Sequence, residues 1–185
     1  MMDVAQAAPR TVILAEDEMS MYLQATTQSA WAPRGQTPRV RVAPSRVKTN
    51  FYGTLNLCTG QELAMRAEHL NSETTAQYIT YVLETYPDVP ILWFWDHAPW
   101  HRGKAVAQVL AANPRLEIVW YPVASPELNP QEHVWKATRR AISHNHEQAE
   151  LKSLADQVES YLNGNTFASS FLDDYAYNAV RPMFI

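Results

Sequence analysis

Apolar residues occur along this chain in short bursts whose spacing changes character several times. The segment Thr11–Glu18 is a compact apolar run that ends on Glu16, Asp17 and Glu18. It predicts a buried strand whose end emerges at a polar site. From about Arg39 to Leu57 the chain is rich in Val, Thr, Phe and Tyr and is broken by Pro44 and Gly53. That pattern predicts hairpin strands, antiparallel neighbours of the first, and Glu62–Glu68 adds another. Asn71 and Ser72 can cap a helix over Glu73–Tyr86, where Ala76, Ile79, Val82 and Leu83 keep helical spacing until Pro87 stops it. The run Val89–Trp95 lacks alternation, as a central strand covered on both faces requires, and it ends on Asp96. Arg102–Ala112 then predicts a helix closed by Asn113 and Pro114, Leu116–Pro122 a strand, and Pro130 to about Ser143 a further helix. Several strands followed by alternating helices and strands predict an α/β fold, a mixed sheet with helices on its faces.

Length and composition narrow the class. With 185 residues, 46% apolar and 18% charged, the chain fits one globular domain rather than a disordered or fibrous protein. No apolar stretch approaches the roughly 18 residues of a membrane span, and Met1–Arg10 carries no apolar run behind a basic cluster. A cytoplasmic protein without membrane contact is expected. The single cysteine, Cys58, cannot make an internal disulfide and has no CxxC company that would suggest structural zinc.

Charge changes the picture once it is located. Residues 147–185 carry the whole net charge of −4, with Glu147, Glu150, Asp156, Glu159, Asp173 and Asp174 against Lys152 and Arg181. The first 146 residues are neutral. Within them Arg34, Arg39, Arg41, Arg46 and Lys48 form a stretch free of acids, and Lys136, Arg139 and Arg140 a second cluster. Both are candidate phosphate contacts; each taken alone could equally be a solvated face. The boundaries expected are a catalytic domain over 1–146 and an acidic helical extension over 147–185 packed on it.

Three carboxylates stand out against this frame. Asp17 and Asp96 close two predicted strands, and Glu132 falls in the first turn of the helix after Pro130. Strand ends of such sheets gather ligands, and oxygen donors suit a hard cation such as Mg²⁺ or Mn²⁺; a pair of ions can clamp both oxygens of an in-line displacement at a phosphodiester. Each also has an ordinary structural explanation. Asp17 lies between Glu16 and Glu18, any of which could be a solvated strand end. Asp96 is harder to dismiss beside so much apolar surface. Glu132 fits the third position of a capping box begun by Asn129, with Lys136 four residues on for an ion pair. His97 and His101 have the spacing of a helical zinc pair, but Pro99 between them argues against it. Trp93, Trp95, Trp120 and Trp135 are expected in the core, whereas Trp100, just past a strand end, could equally stack on bases.

Taken together, the segments AEDE, WFWDHAPWHRG and YPVASPELNPQEHVW resemble the catalytic domain of DDE transposases of the mariner superfamily, in particular its bacterial insertion-sequence branch. The resemblance spans about residues 11–145. In that family the first aspartate opens a DE pair, matching Asp17 and Glu18. The second opens a motif of the form D, N, A, P, any residue, H, matching Asp96, Ala98, Pro99 and His101, with His97 replacing the usual Asn. The third carboxylate follows S, P, E or D, L, N, P and one further residue, which is Glu132. The 35 residues between Asp96 and Glu132 are close to the family's usual gap. Trp31–Gln36 (WAPRGQ) also resembles the segment after the family's first strand and suggests a DNA-facing hairpin.

The resemblance implies a ribonuclease H-like fold with a mixed five-stranded sheet flanked by helices. It also implies two Mg²⁺ ions, replaceable by Mn²⁺, held by Asp17, Asp96 and Glu132, with hydrolysis at transposon ends and strand transfer by the freed 3′ hydroxyl. Implied DNA contacts are Trp100, His101, Arg102 and the two basic clusters. A cytoplasmic, nucleoid-associated bacterial protein, dimeric when active, would follow. Family members carry helix-turn-helix modules before the first aspartate, whereas 16 residues precede Asp17 here; a DNA-binding half supplied by fusion, by frameshifting or in trans, or a truncated copy, is the expectation. Two rivals stay open: a ribonuclease H-like nuclease without strand transfer, and a catalytically silent DNA-binding or oligomerisation remnant.

Overall fold

A computed structural model describes residues 11–167 of the protein; of the acidic segment expected over 147–185, residues 168–185 lie outside the described residues. Five strands form one sheet: β1 (Val12–Tyr22), β2 (Lys48–Asn56), β3 (Glu62–Ala67), β4 (Ile91–Trp95) and β5 (Leu116–Trp120), in the order β3-β2-β1-β4-β5. β1, β2 and β3 pair antiparallel, and β4 and β5 join β1 in parallel. Among the described residues four α-helices flank the sheet: α1 (Ser72–Thr85), α2 (Lys104–Ala112), α3 (Gln131–Thr138) and α4 (Leu151–Gly164). The mixed sheet is the one the sequence predicts, and among the described residues no helix is long and apolar enough to cross a membrane.

The two faces of β1 decide the rest. Side chains alternate along a strand. Ile13, Ala15, Met19 and Met21 join a core with Val134 and Trp135 of α3 and Leu154, Ala155, Val158 and Leu162 of α4. Leu14 joins the opposite core with Tyr78, Ile79 and Val82 of α1 and Val106 of α2. Asp17 is in phase with the first set, Glu16 and Glu18 with the second. The same alternation that builds the hydrophobic layers therefore separates the three neighbouring carboxylates.

Local signals explain the helix ends. Asn71 caps α1, its Oδ1 accepting from Thr74 N at 2.9 Å while Thr74 Oγ1 accepts from Asn71 N at 3.2 Å. Arg115 closes the other end, donating to the carbonyls of Leu83, Tyr86 and Val89 at 2.7–2.9 Å. α3 passes into a π-helical turn at Arg139–Ser143, so the predicted helix to Ser143 continues with altered winding.

Two expectations are corrected. The Arg39–Leu57 stretch is not a hairpin: only β2 forms, and Leu23–Val47 is irregular apart from a turn at Pro33–Gln36 and a bridge at Thr26. Pro33, Pro38 and Pro44 lack the N–H groups that a ladder needs, so the segment WAPRGQ is a loop with Trp31 fully exposed. Trp120 is 40% exposed because it sits on the edge strand β5, while Trp93, Trp95 and Trp135 are buried as expected.

Gly53 of β2 faces Asp17 in register and lies under Trp135 and Gln131 of α3. A Cβ there would overlap the Trp135 ring and come within 2.5 Å of Gln131 Nε2 and Glu62 Oε1. Gly53→Ala is expected to cost about 1–3 kcal/mol through overpacking, read as a lower Tm in thermal unfolding. An unchanged Tm would mean that Trp135 and Gln131 of α3 do not pack against Gly53.

Candidate active site

The carboxylate run of β1 lies mid-strand rather than at a strand end. β2 pairs with β1 as far as Tyr22, but β4 pairs only with Val12–Ala15. Asp17 therefore sits just beyond the point where β4 stops, and Asp96 follows the last residue of β4. The gap thus opened on one edge of β1 is the mouth of a cleft of about 320 Å³. Asp17, Asp96 and Glu132 all line it, with Asn129 at its floor and the Tyr121–Pro126 loop as a wall.

The start of α3 is fixed to the sheet by one side chain. Asn129 Nδ2 donates to the Glu16 carbonyl at 3.1 Å while its Oδ1 accepts from Gln131 N, also at 3.1 Å. Asn129 thus caps the helix and clamps it to β1. The capping-box alternative for Glu132 fails, because the Asn129 N–H that Glu132 would have to reach is given to Pro126 O at 3.0 Å. Among the described residues Glu132 and Lys136 form no ion pair. Glu132 is left facing the cleft.

Electrostatics mark Asp17. Burial, with the nearby charges of Glu18 and Glu132, pushes its carboxyl up to about 7. Its Oδ2 accepts from Trp135 Nε1 at 3.1 Å, a contact that sequence reasoning missed because Trp135 read simply as core. Asp96 goes the other way. Burial would raise its carboxyl, but hydrogen bonds from His101 and the Ala98 N–H hold it below the usual aspartate value. Among the three, oxygen is the only donor type facing the cleft.

On the opposite face of β1 lies a second group of carboxylates. Glu16 is fully buried with neither oxygen hydrogen-bonded. Burial and the charges of Glu18, Asp17 and Asp96 push its carboxyl well above the usual range. Glu18 Oε1 accepts from Trp100 Nε1 at 2.5 Å and from His101 Nε2 at 2.9 Å. His101 is only 2% exposed. Despite burial, which opposes its charge, its bonds to Asp96 and Glu18 raise the imidazole to about 9.

The expected DNA contacts separate into two kinds. His101 is corrected: a side chain this buried cannot reach a duplex, and both of its nitrogens are occupied by carboxylates. Trp100 is half-buried with its indole N–H on Glu18, which leaves the base-stacking expectation without support. Arg102 is exposed beside the cleft, its Nη2 2.8 Å from His97 Nδ1 and its guanidinium 6.0 Å from the Trp120 ring. His97 itself stacks on Trp120 at 5.1 Å, so the two histidines serve different partners. Arg34, Arg39, Arg41 and Arg46 are exposed on the long loop, Lys48 opens β2 with Nζ donating to Ser20 Oγ at 3.2 Å, and Lys136 and Arg140 are exposed around the end of α3, with Arg139 half-buried between them.

Comparison with known proteins gives the family and the fold. Residues 12–155 match the family described as DDE superfamily endonuclease. The chain belongs to that family. A relative, the insertion element IS630 uncharacterized 39 kDa protein of Shigella sonnei, is 26% identical over 151 residues, covering 80% of this chain and 43% of the relative. Among solved structures, the Mos1 transposase paired-end complex with left transposon end superposes with a TM-score of 0.65 at 14% identity, covering 99% of this chain and 56% of that one. The mariner Mos1 paired-end complex with Mg gives 0.65 at 15% identity, covering 94% and 53%. The fold of this DDE-family chain is thus ribonuclease H-like, and the chain spans about half the length of the relatives it matches.

Proposed function

We propose that this chain is a transposase catalytic domain that cleaves DNA at transposon ends and transfers the freed strand, dependent on a divalent cation. The observation that carries the reading is the convergence of the carboxylates of Asp17, Asp96 and Glu132, from three separate elements, on one cleft. Burial, with the charges of Glu18 and Glu132, pushes the Asp17 carboxyl up to about 7, and a cation in the cleft would balance that charge. Asp17, Asp96 and Glu132 would hold Mg²⁺ or Mn²⁺, two ions in the full assembly. When bound, such ions supply Lewis-acid chemistry, stabilising the charge that develops on a phosphodiester during in-line displacement.

The rest falls to the chain's own residues. Trp135 orients the Asp17 carboxylate, Asn129 fixes Glu132 relative to β1, and the Tyr121–Pro126 loop walls the reacting phosphate from bulk water. Arg102, Lys136, Arg139, Arg140 and the arginines of the long loop would carry phosphates of the duplex. These contacts position DNA without reading its sequence; selectivity would come from a helix-turn-helix half supplied by fusion, frameshifting or in trans, with two copies joined when active. Residues 1–146 would form the catalytic body, and 147–185 an acidic extension of it.

The test uses duplexes carrying the terminal repeats that flank the coding sequence, and scrambled ones, with a target plasmid. Metal-dependent nicks and joined products are expected. The chain alone should bind both duplexes alike, with an affinity that falls steeply with salt as counterions are released. Cleaved ends never joined to target would make it a nuclease, and a salt-resistant preference for repeats would show that it carries its own reader.

A further inference from the structure

The structure joins Glu18, the second member of the DE pair, to the histidine that closes the second motif. His101 lies between two carboxylates, with Nε2 2.9 Å from Glu18 Oε1 and Nδ1 3.0 Å from Asp96 Oδ1. Glu18 Oε1 already accepts the Trp100 indole N–H, so it acts as an acceptor. The second contact of Nδ1, at 3.1 Å, is the Asp96 carbonyl, also an acceptor. Both ring nitrogens therefore meet carboxylate oxygens, and the ring bridges Glu18 to Asp96.

The ring has little freedom to do otherwise. It stacks on Trp95 at 4.0 Å with 28° between the planes, and its backbone N–H is bonded to Ala98 O at 3.1 Å. Asp96 Oδ1 receives a second donor, Ala98 N, at 2.9 Å. With Oδ1 so occupied, only Oδ2 is left to face the cleft. We propose that His101, anchored by Glu18, is a positioning residue that locks the Asp96 carboxylate so that one defined oxygen is offered to the cation. This rests on the reading of Asp96 as a cation ligand given above. It assigns the glutamate of the DE pair to the support of the second aspartate, across 78 residues of sequence. Outer partners of this kind orient ligands that they never replace.

The experiment is Mn²⁺ binding to the whole chain without DNA, followed by electron paramagnetic resonance, for wild type, Glu18→Ala, Glu18→Gln, His101→Ala, the double alanine variant and Asp96→Ala. Glu18→Ala and His101→Ala should each weaken Mn²⁺ affinity about 10–100-fold with the number of bound ions unchanged. The double variant should lose no more than the weaker single, because the two act as one chain. Glu18→Gln keeps an acceptor for Trp100 and His101 and should recover most of the loss, an outcome that mere destabilisation would not give. Should His101→Ala fail to fold, the two Glu18 variants still decide. Unchanged affinity in Glu18→Ala, where Asp96→Ala abolishes binding, would overturn the brace and leave the site intact. Unchanged binding in Asp96→Ala would overturn the site itself. Glu16, Glu18 and His101 also lie within 4.8 Å of one another; loss of one bound ion in Glu18→Ala would make them ligands and end the brace.

Discussion

Asp17→Asn is expected to lower metal-dependent nicking on the order of 10³-fold or more while making the metal-free protein more stable. The loss follows from removing a charged ligand at the centre of the cleft. The gain follows from the same charge. An acid held at about 7 in the fold, against an ordinary 3.8 when unfolded, costs stability wherever the unfolded chain ionises and the fold resists. That cost is absent below pH 4, grows to about pH 7 and is constant above. Asparagine keeps an oxygen for Trp135 Nε1 and carries no charge, so in EDTA at pH 8 the variant should exceed wild type by roughly 1–3 kcal/mol, and near pH 4 the difference should vanish. Saturating Mn²⁺ reverses the order, because only wild type gains from binding; at a hundred times the Kd the gain is about 2.7 kcal/mol. Thermal unfolding at two pH values, with and without Mn²⁺, reads the whole pattern. Wild-type nicking by Asp17→Asn would remove Asp17 from the site.

Period-two alternation accounts for the choice among three carboxylates that the apolar run alone left open and that the family motif assigned to Asp17. Ile13, Ala15, Met19 and Met21 share one face, and counting by twos through them lands on Asp17 and skips Glu16 and Glu18. What local pattern could not give was the end of β4. Glu16–Glu18 read as a strand terminus because polarity there mimics one, yet β2 continues beside them and only the parallel neighbour stops. The long loop failed for a related reason. Its valines and threonines favour a strand in isolation, but prolines at 33, 38 and 44 deny it a ladder. For Glu132 two readings competed on one residue, and a single hydrogen bond, Asn129 N to Pro126 O, separates them. His101 was the least accessible of all, since its burial depends on a glutamate 83 positions away that no window of sequence places beside it.

Glu62 supplies a pH effect from outside the cleft. It is fully buried on β3, Gln131 Nε2 donates to its Oε1 at 2.5 Å, and its Oε2 makes no hydrogen bond. Burial pushes the carboxyl well above the usual glutamate range, against the smaller opposing pull of its bonds to Gln131 and Thr54. Between the ordinary glutamate value and its raised value in the fold, the folded chain resists ionising Glu62 while the unfolded chain ionises it. Working out the sign, this residue costs nothing below about pH 4, and above that it draws down stability by up to about 1.4 kcal/mol per pH unit until the folded form ionises too. Glu62→Gln preserves the acceptor for Gln131 and cannot ionise. The variant should unfold at nearly the same temperature as wild type at pH 4 and at a clearly higher one at pH 8, at about 2–4 °C per kcal/mol for a chain of this size. Gln131 is the first residue of α3 and Glu132 the next, so ionisation of Glu62 would also disturb the base of the helix that carries the third carboxylate. Parallel pH profiles for Glu62→Gln and wild type would show that Glu62 is charged in the fold and held by a partner beyond Gln131 and Thr54.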